Sequence, residues 1–205
     1  MKSLRYSLLK KSNSLKDFVY YKKDFLSVPF CDEILAESNR RTKGAATVGA
    51  HTISKKIRDA DGVNFSINDP LLVELKQKFK DALSEYIDDD KYVQVDNLKQ
   101  TISVVSYTNQ IGYMPHVDAT YPCNADLETR LYSIVAYFND DYVGGDIYFP
   151  DIGLTFKPKK GSCLVFPSNN LFRHGVYPVK GYKLISPCWF YTKTSTIDSF
   201  TPFGF

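Results

Sequence analysis

Apolar positions change their period once along this chain, and the change divides it into two parts. Over residues 69–88, Leu72, Leu75, Phe79, Ala82, Leu83 and Tyr86 recur at three- and four-residue steps, while Lys76, Lys78, Lys80 and Asp81 fall largely on the other side. That period predicts an amphipathic helix, with Asp69 as its cap and Pro70 in its first helical position. Residues 24–39 predict an extended stretch leading into a shorter helix, with Pro29 in the first turn and Asp32 and Glu33 near its positive end. Residues 40–66, rich in Gly, Ala, Thr, Ser, Lys and Asp, lack a period and predict a long loop or irregular hairpin. From residue 93 the pattern shortens. Segments 93–97, 100–108, 112–118, 131–139, 145–149, 153–157, 162–166, 171–178 and 182–192 are rich in Val, Ile, Tyr and Phe and are divided by turn residues such as Asn139-Asp140-Asp141 and Gly144-Gly145. Many short strands at this spacing predict a mainly β (α+β) protein with a sandwich or jelly-roll core and helical support. The tail 193–205 reads as coil.

Length and composition narrow the classes. A chain of 205 residues fits one domain, with 18–92 as N-terminal support, 93–192 as the core and 193–205 as tail. Its 15 tyrosines and 14 phenylalanines suit strands. A formal charge of +3 gives no reason to expect nucleic acid or a membrane surface as partner. No apolar run reaches spanning length, and the first residues lack a signal-peptide pattern, so a cytoplasmic location is expected. Cys31, Cys123, Cys163 and Cys188 are scattered without a CxxC pair, which argues against a zinc site, and Cys163 and Cys188 sit in apolar strand-like runs that predict reduced core thiols. Asp88-Asp89-Asp90 is read as a solvated turn. Oligomeric state is not legible.

The chemistry lies in His116-Val117-Asp118 and His174. On one strand, residues i and i+2 face the same way, so His116 and Asp118 can reach one ion. The chain has three histidines, and His51 sits in the loop without a partner at ligand spacing. A jelly roll can bring His174 beside the first pair. Two histidines and one carboxylate with open positions form the facial set of non-haem Fe(II) enzymes. Lys183 shares strand parity with Ile185, Pro187, Trp189 and Tyr191. A lysine on the face of the only tryptophan suits a pocket that binds a carboxylate. Tyr107 and Tyr137 are further phenol donors, and Tyr137 shares its face with Ser133 and Val135.

In order along the chain, YTNQIGYMPHVD (Tyr107–Asp118), GGDIYFP (Gly144–Pro150), GSCLVF (Gly161–Phe166) and HGV (His174–Val176) through Lys183 to Trp189 resemble the prolyl 4-hydroxylases. These are Fe(II)- and 2-oxoglutarate-dependent dioxygenases. The resemblance runs from about residue 100 to 192. It implies a double-stranded β-helix with His116, Asp118 and His174 as iron ligands. It implies that Lys183 binds the C5 carboxylate of 2-oxoglutarate, with Tyr137 and Tyr107 in the same pocket. It sets Arg130 and Trp189 near substrate, although Arg130 has the opposite strand parity to Tyr137. Fe(II), 2-oxoglutarate and O2 are the implied cofactor and co-substrates, with ascorbate a further candidate. Asp118 favours hydroxylation, since halogenating relatives lack that carboxylate. A proline-containing peptide or protein is the implied substrate, and loop 43–66 stands where relatives carry a mobile covering segment. Lysine or small-molecule hydroxylation, and a cupin-like binding module without turnover, remain open alternatives.

Overall fold

The computed structural model describes residues 14–46, 60–66, 68–87, 98–108, 111–119 and 129–191. The predicted strand 93–97, the triple aspartate, the tail, His51, Cys123 and most of loop 43–66 lie outside them.

Both predicted helices form. Helix α1 spans Val28–Arg40 and α2 spans Pro70–Ile87. Ser27 caps α1, its Oγ accepting from the Phe30 N–H at 3.4 Å. Asp32 and Glu33 lie beyond the first turn rather than in it, because the helix starts at Val28. Asp32 pairs instead with Lys160. Asp69 caps α2 as expected, its Oδ1 accepting from the Leu71 N–H at 3.0 Å, while Oδ2 binds Arg41 at 2.6 Å. Leu72, Leu75, Phe79, Ala82 and Leu83 turn inward, as the period requires.

Strands form two facing sheets. The larger runs β1 (Tyr20–Lys22), β11 (Cys163–Pro167), β7 (Arg130–Tyr137), β14 (Tyr182–Tyr191), β5 (Val104–Thr108), β3 (Asp61–Val63), β2 (Lys43–Ala45), with β4 (Lys99–Ile102) also on β14. The smaller runs β10 (Leu154–Phe156), β9 (Ile147–Phe149), β12 (His174–Val176), β6 (Tyr113–His116). A ribbon joins β8 (Val143–Gly144) to β13 (Val179–Lys180). This is a jelly roll with helices on the outer face of the larger sheet. The predicted loop or hairpin of 40–66 is a hairpin at its described ends, β2 pairing with β3 and β3 with β5. The expected strand 171–178 is instead a short 3-10 turn, the three-residue β12, and a return into β13.

Two cores follow from the layering. Phe30, Ile34, Leu75, Phe79 and Leu83 of the helices pack on Ile134, Leu184, Cys188 and Phe190. Between the sheets, Tyr107, Tyr137, Ile147, Phe149, Leu164, Phe166 and Ile185 form the second core. Successive residues of β14 serve both, Leu184 outward and Ile185 inward. Cys163 and Cys188 are buried free thiols, as expected, and so is Cys31.

Candidate active site

A cavity of about 880 Å³ opens between the sheets. Its lining includes all eight residues singled out in the sequence: His116, Asp118, His174, Lys183, Tyr137, Tyr107, Arg130 and Trp189. Gly44, Ala45 and Gly62 of the β2–β3 hairpin line the same cavity.

The ligand set forms where the smaller sheet meets the larger. His116 on β6 and His174 on β12 are direct cross-strand partners. That register needs close backbone approach at the start of β6. Gly112 adopts φ +92°, and a Cβ there would lie 2.2 Å from the Val176 carbonyl oxygen. Asp118 does not sit on the strand with His116, because β6 ends at His116. Its carboxylate still converges: Oδ1 lies 3.5 Å from His116 Nε2 and Oδ2 3.7 Å from His174 Nε2. One ligand atom from each residue falls within 4.8 Å of the others. Two atoms bonded at about 2.1 Å to one ion lie no more than about 4.2 Å apart, so the set closes on an ion with a small side-chain adjustment.

Tautomers favour coordination. His116 Nδ1 faces the Met114 carbonyl at 2.9 Å, and His174 Nδ1 faces that of Phe172 at 3.1 Å. A proton on each Nδ1 leaves each Nε2 lone pair for a metal. Burial pushes the His174 imidazole down to about 4, so it is neutral at physiological pH. Burial raises the Asp118 carboxyl, but the neighbouring histidines and the Trp189 indole N–H outweigh it and hold the group well below the usual carboxylate range. The result is one anion beside the neutral His174 imidazole, donors of the kind an Fe(II) ion takes. Tyr113, absent from the sequence-derived set, stacks on His116 with ring centroids 3.7 Å apart.

Lys183 lies deeper, with only 1% of its surface exposed. Its parity with Ile185, Pro187 and Trp189 holds, since all four line the cavity. Pro187 introduces no break; the register shift comes between Phe190 and Tyr191. The Asn139 side chain clamps the start of β14, donating to the Tyr182 carbonyl at 2.7 Å and accepting from the Leu184 N–H at 2.9 Å. Lys183 is thereby held from both flanks. Nζ donates to the Gly145 carbonyl at 2.5 Å, and burial pushes the amine down to about 7. Tyr107, Tyr137 and Tyr142 surround it, with ring centroids 6.0, 5.4 and 5.4 Å from Nζ. Among the described residues, the buried Tyr142 hydroxyl has no hydrogen-bond partner. Burial keeps the Tyr137 and Tyr142 phenols protonated, as donors. A buried amine ringed by phenols, with the neutral Gly145 carbonyl as its acceptor among the described residues, fits the distal carboxylate of a dicarboxylic acid once protonated.

Arg130 reaches the cavity despite its parity. Phe190 pairs with Tyr132 but Tyr191 with Arg130, so Leu131 is bulged out and Arg130 turns inward. Its guanidinium lies 4.0 Å over the Trp189 ring, and Nη1 donates to the Asp118 carbonyl at 3.2 Å. Ser133 and Ser168 carried no sequence assignment; Ser133 donates to the Asp118 carboxylate, and Ser168 lies against Ser133. Ser133's shared face with Tyr137 was the available signal. Nothing in the local pattern around Ser168 marked it.

A facial His–Asp–His set, with Asp118 and His174 buried and His116 half-buried, within a jelly roll defines a non-haem iron oxygenase site. The chain carries a 2OG-Fe(II) oxygenase domain, since residues 102–191 match the model of the 2OG-Fe(II) oxygenase superfamily. It is a 2-oxoglutarate-dependent dioxygenase with prolyl 4-hydroxylases among its homologues, and its His–Asp–His set suits Fe(II). A relative from Acanthamoeba polyphaga mimivirus, named "Putative prolyl 4-hydroxylase", is 27% identical over 176 residues, 78% of this chain and 68% of that one. The viral collagen prolyl hydroxylase of Paramecium Bursaria Chlorella virus-1, solved with 2OG, shares the fold at TM-score 0.66 and 20% identity, covering 86% of this chain and 96% of that one. The Trichoplax adhaerens prolyl hydroxylase, solved with a hypoxia inducible factor peptide fragment, has TM-score 0.67 and 17% identity over 93% and 94% of the two chains.

Proposed function

We propose that this enzyme hydroxylates prolyl residues in a peptide or protein, releasing succinate and CO2. The carrying observation is a cavity of about 880 Å³ that has the ligand set on one wall, Lys183 at depth and the β2–β3 hairpin at its rim. Similarity to prolyl hydroxylases, one of them solved with a peptide, supports the same reading.

In this reading His116, Asp118 and His174 hold Fe(II). When bound, the metal with 2-oxoglutarate supplies the O2-dependent oxidation of a C–H bond. The ammonium of Lys183 and the phenol of Tyr137 anchor the far carboxylate of 2-oxoglutarate, with Tyr107 beside them. Ile147, Val135 and Ile185 make the walls apolar, which excludes water and strengthens that ion pair. Arg130, braced on Trp189, presents its remaining guanidinium donors towards substrate. Small residues at Gly44, Ala45 and Gly62 leave room for an extended chain along the rim.

The test uses purified protein with Fe(II), 2-oxoglutarate and a panel of proline- and lysine-containing peptides. The expected result is succinate release coupled to a 16 Da gain on proline. A gain confined to lysine overturns the prolyl assignment, and succinate release without peptide modification points to a small-molecule substrate.

A further inference from the structure

Asp118 needs external support. It lies past the end of β6, where no ladder hydrogen bond fixes its backbone, yet its carboxylate is buried. Ser133 Oγ donates to Asp118 Oδ2 at 2.7 Å, and Ser133 Oγ lies 2.7 Å from Ser168 Oγ. Both serines are buried, with 0% and 1% exposed.

Proton counting fixes the direction. A hydroxyl has one proton, and an ionised carboxylate only accepts. Ser133 must spend its proton on Asp118, so it accepts from Ser168. The chain therefore runs Ser168 to Ser133 to Asp118, ending in a charge-assisted bond. The same segment fixes the backbone: the Ala119 N–H donates to the Ser168 carbonyl at 2.8 Å, and the Ser168 N–H to that of Leu131 at 2.9 Å. Ser168 thus grips the Asp118 segment twice, once through its carbonyl and once through Ser133.

We infer that Ser133 and Ser168 form a positioning relay that keeps Asp118 a single-oxygen ligand. Oδ2 is engaged by Ser133, which leaves Oδ1 for the ion. A carboxylate free to turn would offer both oxygens and occupy a coordination position that a bound co-substrate requires. This rests on the reading of His116, Asp118 and His174 as the metal set.

The test is Co(II) titration of the metal-free protein, followed by affinity and by the visible absorption spectrum, which reports coordination number. Ser133→Ala removes the hydroxyl without adding bulk. Ser133→Thr restores it, and Ser133→Val matches threonine in shape without it. The alanine and valine variants are expected to bind Co(II) about ten- to a hundredfold more weakly, with an altered spectrum, while threonine stays close to the parent. Ser168→Ala falls between. Wild-type affinity and spectrum in Ser133→Ala overturn the relay, as does equal binding by the threonine and valine variants. His174→Ala is the separate control. If it binds Co(II) like the parent, the metal assignment fails and takes the relay with it; if it loses Co(II) while Ser133→Ala does not, the relay alone fails.

Discussion

His116 and His174 face each other directly across antiparallel strands, with ring centroids 4.5 Å apart. Two of the three ligands are thus built into the pairing of β6 with β12, while Asp118 follows the end of β6. Replacing His174 by alanine removes one ligand from a fixed frame, so the remaining pair cannot compensate by moving. Succinate release is expected to fall by more than about a hundredfold. The apo protein's circular dichroism should match the parent.

Gly112 sets that pairing. A Cβ at this position meets the Val176 carbonyl oxygen at 2.2 Å, and its φ of +92° disfavours any L side chain. Gly112→Ala is expected to destabilise the fold by about 1–3 kcal/mol. It should also weaken Mn(II) binding, because the strand that must shift carries His116. Thermal melting and metal titration check the two effects together.

Lys183 gives a pH dependence with a definite sign. Burial holds the amine near 7, well below an ordinary lysine. Only the ammonium attracts a carboxylate, so bound 2-oxoglutarate raises that value. Below about pH 7 the group is already protonated and affinity is flat in this term; above it, binding must take up a proton. Affinity is expected to fall as pH rises from 7, by up to about tenfold per unit. Calorimetry of the Mn(II)-loaded protein in buffers of different ionisation heat should show proton uptake at pH 8 and none at pH 6. Pure pH independence between those values would remove Lys183 from the assigned role.

Trp189 separates two duties. Its ring lies beneath Arg130, and its indole N–H helps hold Asp118 ionised. Trp189→Phe keeps an aromatic face for the guanidinium and deletes the donor. Metal affinity is expected to drop about tenfold. The KM for peptide should move far less, and steady-state kinetics at saturating metal will show the split.

The buried thiols offer a control on the core. Burial raises Cys31 to about 11 and pushes Cys163 and Cys188 higher still. Alkylation of native protein by iodoacetamide at pH 7.5 should leave these three unmodified, and urea should expose them. Peptide mapping by mass reads the result site by site.

Much of the site was legible because its residues obey local periods. Lys183, Ile185, Pro187 and Trp189 share one face by simple alternation, and His116 and His174 stand out in a chain with three histidines. What alternation could not supply was the bulge at Leu131, a mismatch between two strands that neither strand's pattern encodes. That mismatch turns Arg130 inward. Ser168 escaped notice for a related reason: its importance comes from β11 ending beside Asp118, a long-range contact carried by an ordinary residue type. Helix caps were easier. Asp69 acts on its own chain two residues ahead, within reach of any local reading.

Strand β14 works as a ruler. It carries Lys183 near one end and Trp189 six residues further on, a span of roughly 20 Å at strand rise, with side chains buried on both faces between them. Deleting one residue from it would swap its faces, sending Lys183 into the helix-packed layer and Leu184 towards the ligand. The count of residues in β14 therefore fixes both the face that carries Lys183 and its distance from Trp189.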